Sequence, residues 1–145
     1  MFTHLLLPTD GSQLSEAAIQ KGIQFATEIN AKVTGFHVIP KFYVFTYGTE
    51  MLEDTEGQYA KDCKARAMQY LGVIESAAKT AGVTCETAYV THDHPYEAII
   101  NAAEERTCDL IMMASHGRRG VQGVLIGSET QKVLTHSKIP VLVYR

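Results

Sequence analysis

The sequence predicts an α/β fold in which an open, five-stranded parallel sheet carries helices on both faces. Five short apolar segments alternate along the chain with four longer segments whose apolar residues recur at helical spacing. The short segments are apolar on both sides, as strands are when helices cover a parallel sheet from both directions. Because crossover connections are right-handed, covering both faces requires the winding direction to reverse once. We predict the strand order 3-2-1-4-5, which places this reversal between strands one and four.

The first two strands and the first helix are delimited by turn-forming residues. Residues 4–7 form a short apolar strand that stops at the sequence Pro-Thr-Asp-Gly-Ser. The first helix follows, with Ser12 as its N-cap and an apolar stripe at helical spacing. The second strand covers residues 32–39 and stops at Pro40. These elements form the first β-α-β unit of the predicted sheet.

A segment of unusual composition precedes the second helix. Residues 42–47 are rich in aromatic side chains without a clear period, and residues 50–56 are acidic. We predict that residues 41–56 form a loop or flap. The long helix that follows has an apolar stripe over residues 60–81, and Gly82 stands where a left-handed C-terminal residue belongs.

The rest of the chain repeats the alternation of strands and helices. In order, we predict a strand at 83–91, a helix that begins at Pro95, a strand at 109–114, a glycine-rich loop at 116–127, a helix at 128–136 and a strand at 139–144. Sheets of this kind bind ligands at the carboxyl ends of their strands, where the winding reverses. Polar or glycine-rich loops follow strands one and four, which flank that point, so we predict a binding crevice there.

Composition and charge indicate one cytoplasmic domain over residues 1–145. The chain of 145 residues is 46% hydrophobic and carries a formal net charge of −3, whereas proteins that bind nucleic acid need a basic face. No apolar run approaches the ~18 residues of a membrane span, and the first residues lack the basic region of a secretory signal. Three scattered cysteines are typical of buried thiols in a reducing compartment. We expect neither a nucleic-acid nor a membrane partner.

The segment after the fourth strand combines glycine with positive charge. Four glycines lie within residues 117–127, which lets backbone N–H groups turn toward a phosphate. Gly127 and Ser128 then begin a helix, whose free N–H groups attract anions, and Arg118 adds charge. The loop is neither a Walker A motif nor a dinucleotide fingerprint. An alternative stays open, because Ser128 and Gln131 match a capping box that satisfies a helix start without a ligand.

Several segments taken together resemble the universal stress protein family. They are the opening Leu-Leu-Pro-Thr-Asp-Gly-Ser, the Phe-His-Val-Ile of the second strand, the block Asp-Leu-Ile-Met-Met-Ala-Ser-His-Gly-Arg-Arg-Gly, the Gly-Ser helix start and the closing Ile-Pro-Val-Leu-Val. The resemblance covers residues 2–145 and implies a Rossmann-like fold of the adenine nucleotide alpha hydrolase-like type. It also implies a stress-response signalling or binding protein rather than an enzyme, with at most slow ATP hydrolysis.

The resemblance further implies a site for ATP, or for AMP or ADP, that takes Mg²⁺ with the nucleotide. Nucleotide-binding members carry Gly-x-x-Gly, nine residues and then Gly-Ser or Gly-Thr, and Gly117 with Gly127 and Ser128 keeps this spacing. Ala114 replaces the first glycine, so a dimeric interaction module that binds no nucleotide stays the alternative. With Arg118 added for its charge, the implied contacts run from the adenosine side to the phosphates: Pro8, Thr9, Asp10, Val38, Met113, His116, Gly117, Arg118, Gly127, Ser128, Glu129 and Thr130.

Other polar residues each have two open interpretations. Asp10 either holds a ribose hydroxyl or Mg²⁺, or forms an Asx-turn. His116 either donates to a phosphate or is an ordinary loop histidine, and His92 with His94 either binds a metal or ends a strand. A hydrolytic triad of Ser115, His116 and Asp10 is disfavoured, because adjacent Ser and His side chains point in different directions.

The last predicted strand is apolar on both faces, and no helix follows to cover its edge. Exposed apolar edge strands tend to pair with another chain. We therefore predict a homodimer through residues 139–145, as the resemblance also implies, and a further protein partner whose identity the sequence does not disclose. A phosphoacceptor receiver domain shares the five-strand plan, but no second acid adjoins Asp10 and strand three ends in Thr91 and His92.

Overall fold

The computed structural model describes residues 1–42, 50–118 and 125–145, with side chains from residue 55 onward in the second range. The elements in these ranges are, in chain order, β1 (His4–Pro8), α1 (Gln13–Ile29), β2 (Lys32–Ile39), α2 (Glu50–Ala81), β3 (Cys85–Thr91), α3 (Pro95–Glu105), β4 (Leu110–Ala114), α4 (Ser128–His136) and β5 (Val141–Tyr144). Residues 43–49 of the predicted flap and residues 119–124 of the predicted glycine-rich loop lie outside the described residues.

The sheet has the predicted topology. Its strands are all parallel and run in the order β3-β2-β1-β4-β5. In the centre, Leu5 of β1 pairs with Val33 of β2 on one side and with Leu110 of β4 on the other. The winding therefore reverses between β1 and β4, which confirms the switch point that the sequence predicted.

The helices cover both faces of the sheet, as predicted. On the face covered by α1 and α2, called the α1/α2 face below, Leu5 and Leu7 pack in a buried cluster with Leu71. On the opposite face, covered by α3 and α4 and called the α3/α4 face, Leu6 packs in a second cluster with Val133. Alternate residues of each strand thus point to different faces, which is the geometry that apolar strands of this kind require.

Three predicted helix signals are confirmed. The Ser12 side chain caps α1 by accepting a hydrogen bond from the Ser15 amide at 3.2 Å. Pro95 is the first residue of α3, where its missing N–H leaves no helical bond unmade. Gly82 follows α2 with a φ of 71°, the left-handed conformation expected of it.

The prediction of a loop through residues 50–56 is wrong, because α2 already begins at Glu50. Glutamate is a good helix former, and acidic residues near a helix N-terminus interact favourably with the helix dipole. Residues 55–58 are exposed, so this part of the helix needs no apolar stripe, and its periodicity could not reveal it. Although α2 has 32 residues, no helix in the described ranges is long and apolar enough to cross a membrane.

Four strand ends differ from the prediction by one or two residues. β1 extends to Pro8, β3 begins at Cys85, β4 begins at Leu110 and β5 begins at Val141. Hydrophobicity marks where a strand is buried, whereas its hydrogen-bonded ladder ends where the neighbouring strand ends. The positions of the loops relative to the sheet are unaffected.

Candidate functional site

The carboxyl ends of the three central strands present apolar side chains to the α3/α4 face. Met113 belongs to the buried cluster of that face and Val38 packs against it. Pro8 lies two residues after Leu6, which is in the same cluster, so strand alternation directs it to the same side. Val38 is only half-buried. These residues therefore form a continuous apolar surface at the switch point, with part of it open.

The start of α4 lies beside this surface. Gly127 is the N-cap, and its amide donates to the Ser115 carbonyl at 2.6 Å. Ser128 is the first helical residue and caps nothing, so the capping box of Ser128 and Gln131 is wrong. The first N–H groups of a helix have no partner within it, and no described side chain caps this helix. The amides of α4's first turn are thus available to an anion.

Thr130 fixes this helix start to the sheet. Its side chain is buried, and its hydroxyl donates to the Ala114 carbonyl at 2.9 Å. Together with the hydrogen bond from Gly127 to Ser115, this bond holds the first turn of α4 against the end of β4. Hydrogen bonds within the protein therefore position these amides.

Asp10 joins the loops that follow β1 and β4. One carboxylate oxygen accepts the Ser12 amide at 2.9 Å, which forms the Asx-turn that was one of the two open interpretations, and the other accepts the Arg118 amide at 2.9 Å. Burial alone raises the pKa of Asp10, but hydrogen bonds from Ser12 and from the Arg118 amide outweigh it and hold the pKa below its ordinary value. Asp10 is therefore ionised at neutral pH.

Gly117 lies so close to Asp10 that a side chain does not fit there. A Cβ atom built on Gly117 collides with a carboxylate oxygen of Asp10 and lies 3.3 Å from its Cγ. The glycine predicted from the motif spacing thus has a steric reason: it lets the loop after β4 approach the carboxylate.

Arg118 points away from the α3/α4 face. Its Nε donates to the Asp10 carbonyl at 3.0 Å, and one terminal nitrogen donates to the Tyr70 hydroxyl at 2.6 Å. Tyr70 belongs to α2, so the guanidinium lies on the α1/α2 face. The sequence placed Tyr70 only on an apolar helix stripe, and nothing in its spacing indicated a contact with this loop.

Three other predicted residues have side chains engaged in local contacts. The Thr9 hydroxyl accepts the Gly11 amide at 3.1 Å. The Glu129 carboxylate accepts the Tyr96 amide at 3.0 Å, which satisfies a donor in the first turn of α3. Glu129 therefore offers its backbone to a ligand in this arrangement. The backbone of Thr9 is engaged, because its amide donates to the Phe36 carbonyl at 2.8 Å and its carbonyl lies 2.7 Å from His37 Nδ1.

His116 Nδ1 lies 3.2 Å from the Ser115 hydroxyl, so the expectation that these adjacent side chains point in different directions is wrong. The Asp10 carboxylate accepts the Ser12 and Arg118 amides and makes no hydrogen bond to His116 among the described residues, so no triad is formed.

Ala114, which stands in place of the motif's first glycine, occupies a regular strand position. It pairs with Tyr144 of β5 and is buried. Its φ is not among the positive values found in the described residues, so the position does not require glycine. Met113 faces the α3/α4 side, so alternation directs the Ala114 methyl group to the opposite face.

No group of three or more His, Cys, Asp or Glu side chains in residues 1–42, 55–118 and 125–145 is arranged to hold a metal ion. His92 Nδ1 accepts the His94 amide at 2.9 Å, which is the structural role left open for this pair.

A groove of about 740 Å³ lies on the α1 side of residues 116–118, lined by Gly11, Ser12, Gln13, Leu14, Ala17, His116, Gly117 and Arg118. The predicted site residues thus divide between this groove and the α3/α4 face.

Known proteins of one family are similar to this chain over its whole length. The sequence model described as the Universal stress protein family matches residues 1–145. The universal stress protein YxiE of Bacillus subtilis is 29% identical over 149 residues, with 100% of both chains covered. The solved structure of MJ0577, a protein of Methanocaldococcus jannaschii, superposes with a TM-score of 0.84 at 29% identity and covers 99% of this chain and 95% of that one. A universal stress protein solved in complex with cAMP superposes with a TM-score of 0.72 at 27% identity, covering 99% and 97%.

Proposed function

The chain belongs to the universal stress protein family, and on this premise we propose that residues 1–145 form one domain that binds ATP or a related adenine nucleotide between β1 and β4. One observation carries the proposal: an apolar strand-end surface and the uncapped start of α4 adjoin on the α3/α4 face. An apolar surface can bind the adenosine part of a nucleotide. The free N–H groups at a helix start can bind its phosphates. The structurally similar universal stress protein solved with cAMP supports the same class of ligand.

The adenosine half of the ligand would lie against the strand ends. Pro8, Val38 and Met113 offer an apolar surface for a flat base, and the Val38 backbone would pair with adenine. Each carboxylate oxygen of Asp10 accepts one amide, and an oxygen of this kind has a second lone pair for a ribose hydroxyl or for Mg²⁺. Asp10 would then serve both the loop and the ligand.

The phosphates would lie at the start of α4. The amides of Ser128, Glu129 and Thr130 belong to its first turn, where the helix dipole favours negative charge. The Glu129 carboxylate is held by the Tyr96 amide and by Lys132, whose Nζ lies 3.2 Å from it. This directs the negative side chain to α3 and leaves the backbone as the contact. His116 would donate to a phosphate oxygen through Nε2.

Ala114 favours the competing function, a dimeric interaction module that binds no nucleotide. Two features of its position support binding despite the missing glycine: its backbone is that of a regular strand, and its methyl group is directed away from the α3/α4 face. The two functions differ in a thermal shift, since only a protein that binds a nucleotide in its folded state is stabilised by it.

We propose binding and signalling rather than turnover. Hydrolysis needs a base that positions and activates water. The Asp10 carboxylate already accepts two backbone amides, and its pKa is lowered, so it is a poor base. Any ATP hydrolysis should therefore be slow.

The homodimer through residues 139–145 also remains part of the proposal. β5 lies at one end of the strand order and pairs with β4, and Leu142 is 38% exposed. A second copy would cover this edge. Nucleotide binding would then shift the conformation of the surfaces to which a further protein partner binds in the cytoplasm. Sedimentation at micromolar concentration tests it: we expect a dimer, and a monomer rejects the edge contact.

Calorimetric titration with ATP and AMP, with and without Mg²⁺, tests the nucleotide proposal. A ligand present at 100 times its Kd stabilises the folded state by about 2.7 kcal/mol, which raises the melting temperature of a chain of this size by roughly 5–10 °C. GTP, whose base differs, serves as the control and should bind more weakly. Absence of binding heat and of any shift at millimolar ATP and AMP would reject the proposal in favour of the interaction module.

A further inference from the structure

Tyr70 contacts three segments that lead to the carboxyl edge of the sheet, although it lies on the α1/α2 face. Its ring packs against Gly11, where an added Cβ would collide with the ring and where φ is 76°. The ring meets His37 edge-on, with centroids 5.2 Å apart, and His37 Nδ1 is 2.7 Å from the Thr9 carbonyl. Its hydroxyl accepts a hydrogen bond from Arg118 at 2.6 Å.

Arg118 transmits the position of Tyr70 to the loop that leads to α4. Its guanidinium is held at two points, by the Tyr70 hydroxyl at 2.6 Å and by the Asp10 carbonyl at 3.0 Å. The guanidinium carbon also lies 5.3 Å from the centre of the Tyr70 ring, within range of a cation–π contact. The backbone amide of the same residue donates to the Asp10 carboxylate. Side chain and backbone of Arg118 are thus fixed together.

We propose that Tyr70 is a positioning residue: through Arg118 it holds residues 116–118 in place, and it thereby sets the affinity of the crevice for the phosphates of a nucleotide that it does not touch. The effect on affinity rests on the proposed function. The hold on residues 116–118 does not, because it involves only hydrogen bonds within the protein. The hydrogen bond between Arg118 and Tyr70 joins residues 48 positions apart in sequence, so α2 contacts this loop directly.

The replacement Tyr70→Phe tests the proposal, because it keeps the ring against Gly11 and His37 and removes only the hydroxyl. Tyr59→Phe is the matched control. Tyr59 lies on the same helix, and its hydroxyl donates to the Pro40 carbonyl at 2.9 Å, away from the loop. Without nucleotide, we expect faster hydrogen–deuterium exchange in the peptide that contains residues 116–118 in Tyr70→Phe, and unchanged exchange there in Tyr59→Phe.

The same variants are titrated with ATP and with adenosine. Tyr70→Phe should weaken ATP binding by roughly two- to tenfold, the change that one net hydrogen bond corresponds to, and should leave adenosine binding unchanged because adenosine has no phosphate. In an Arg118→Ala background, Tyr70→Phe should have no further effect. Equal loss of ATP and adenosine affinity would indicate a general structural role and overturn the proposal.

The two proposals fail in different ways. Unchanged hydrogen–deuterium exchange at residues 116–118 in Tyr70→Phe overturns the positioning role, whether or not the protein binds a nucleotide. Faster exchange with unaltered ATP affinity also overturns it, since the hold would not reach the site. If the wild type binds no adenine nucleotide, the proposed function fails, and the exchange experiment still decides whether Tyr70 holds this segment.

Discussion

The replacement Gly117→Ala tests the packing of the loop after β4 against Asp10. An added Cβ collides with the carboxylate oxygen of Asp10 that accepts the Arg118 amide. To reach an ordinary carbon–oxygen contact of about 3.3 Å, that oxygen must retreat by roughly 1 Å. The hydrogen bond from the Arg118 amide, now 2.9 Å long, would then be too long to remain a hydrogen bond.

The expected magnitude follows from this lost bond. A hydrogen bond to a charged group contributes about 1.5–3 kcal/mol, and exposure to solvent reduces this one to the lower end. Alanine restricts the unfolded chain and offsets about 0.4–1 kcal/mol. We expect Gly117→Ala to lower the free energy of unfolding by about 1 kcal/mol and the melting temperature by about 2–4 °C.

Gly72→Ala is the matched control, measured by urea unfolding under the same conditions. Gly72 lies within α2, and an added Cβ there meets nothing within 4 Å. Helix propensity then raises the free energy of unfolding by about 1 kcal/mol. The two substitutions should therefore shift stability in opposite directions. If Gly117→Ala stabilises the protein as Gly72→Ala does, the inferred contact between the loop and Asp10 is wrong.

Three further predictions concern the same edge of the sheet. In Gly127→Val, the added Cβ lies 3.1 Å from the Cα of His116, so the start of α4 must shift; calorimetry should show ATP binding weakened at least tenfold, and unaltered affinity would refute the placement of the phosphates. Thr130→Val removes the buried hydrogen bond to the end of β4 and should lower the free energy of unfolding by about 1–3 kcal/mol, whereas wild-type stability in urea would mean that this bond does not anchor α4. Because the pKa of Asp10 is lowered in the folded state, the stability that its ionised form contributes is complete above its ordinary pKa of 3.8 and is lost as the pH falls through the lower, folded value. Asp109, whose pKa is also lowered, titrates in the same range, so the test is the difference between wild type and Asp10→Asn, which should shrink below pH ~4; a difference that does not vary with pH would contradict it.

The sequence predicted the sheet because the relevant signals are local. Each buried strand is a short apolar run, and Ser12, Gly82 and Pro95 mark helix ends through their own backbone chemistry. Residues 50–56 were not predicted as helix because their acidic sequence shows no apolar stripe at helical spacing. The capping box was wrong for a related reason: Ser128 and Gln131 carry the right spacing, but Gly127 takes the cap position and moves Ser128 into the helix.

The side-chain contacts of the site depend on residues that are distant in sequence. Asp10 and Arg118 are separated by 108 positions. No local sequence pattern indicates to which face of the sheet the Arg118 guanidinium points. The charge of Arg118 suggested a phosphate ligand, whereas in the structure the guanidinium is engaged by Tyr70 and Asp10. Glycine spacing predicted that the backbone near Gly117 approaches a ligand, whereas in the structure its close neighbour is the Asp10 carboxylate, which only the fold brings there.

The central claim, that an adenine nucleotide binds on the α3/α4 face at the start of α4, is tested most directly by a titration of ¹⁵N-labelled protein with AMP followed by NMR. We predict that the amide signals of Val38, Gly127, Ser128 and Thr130 shift together and saturate with one binding constant, while those of Gly72 and Thr80 in α2 stay in place. Saturable shifts confined to α1 and α2, or no shifts with millimolar AMP, would contradict the assignment.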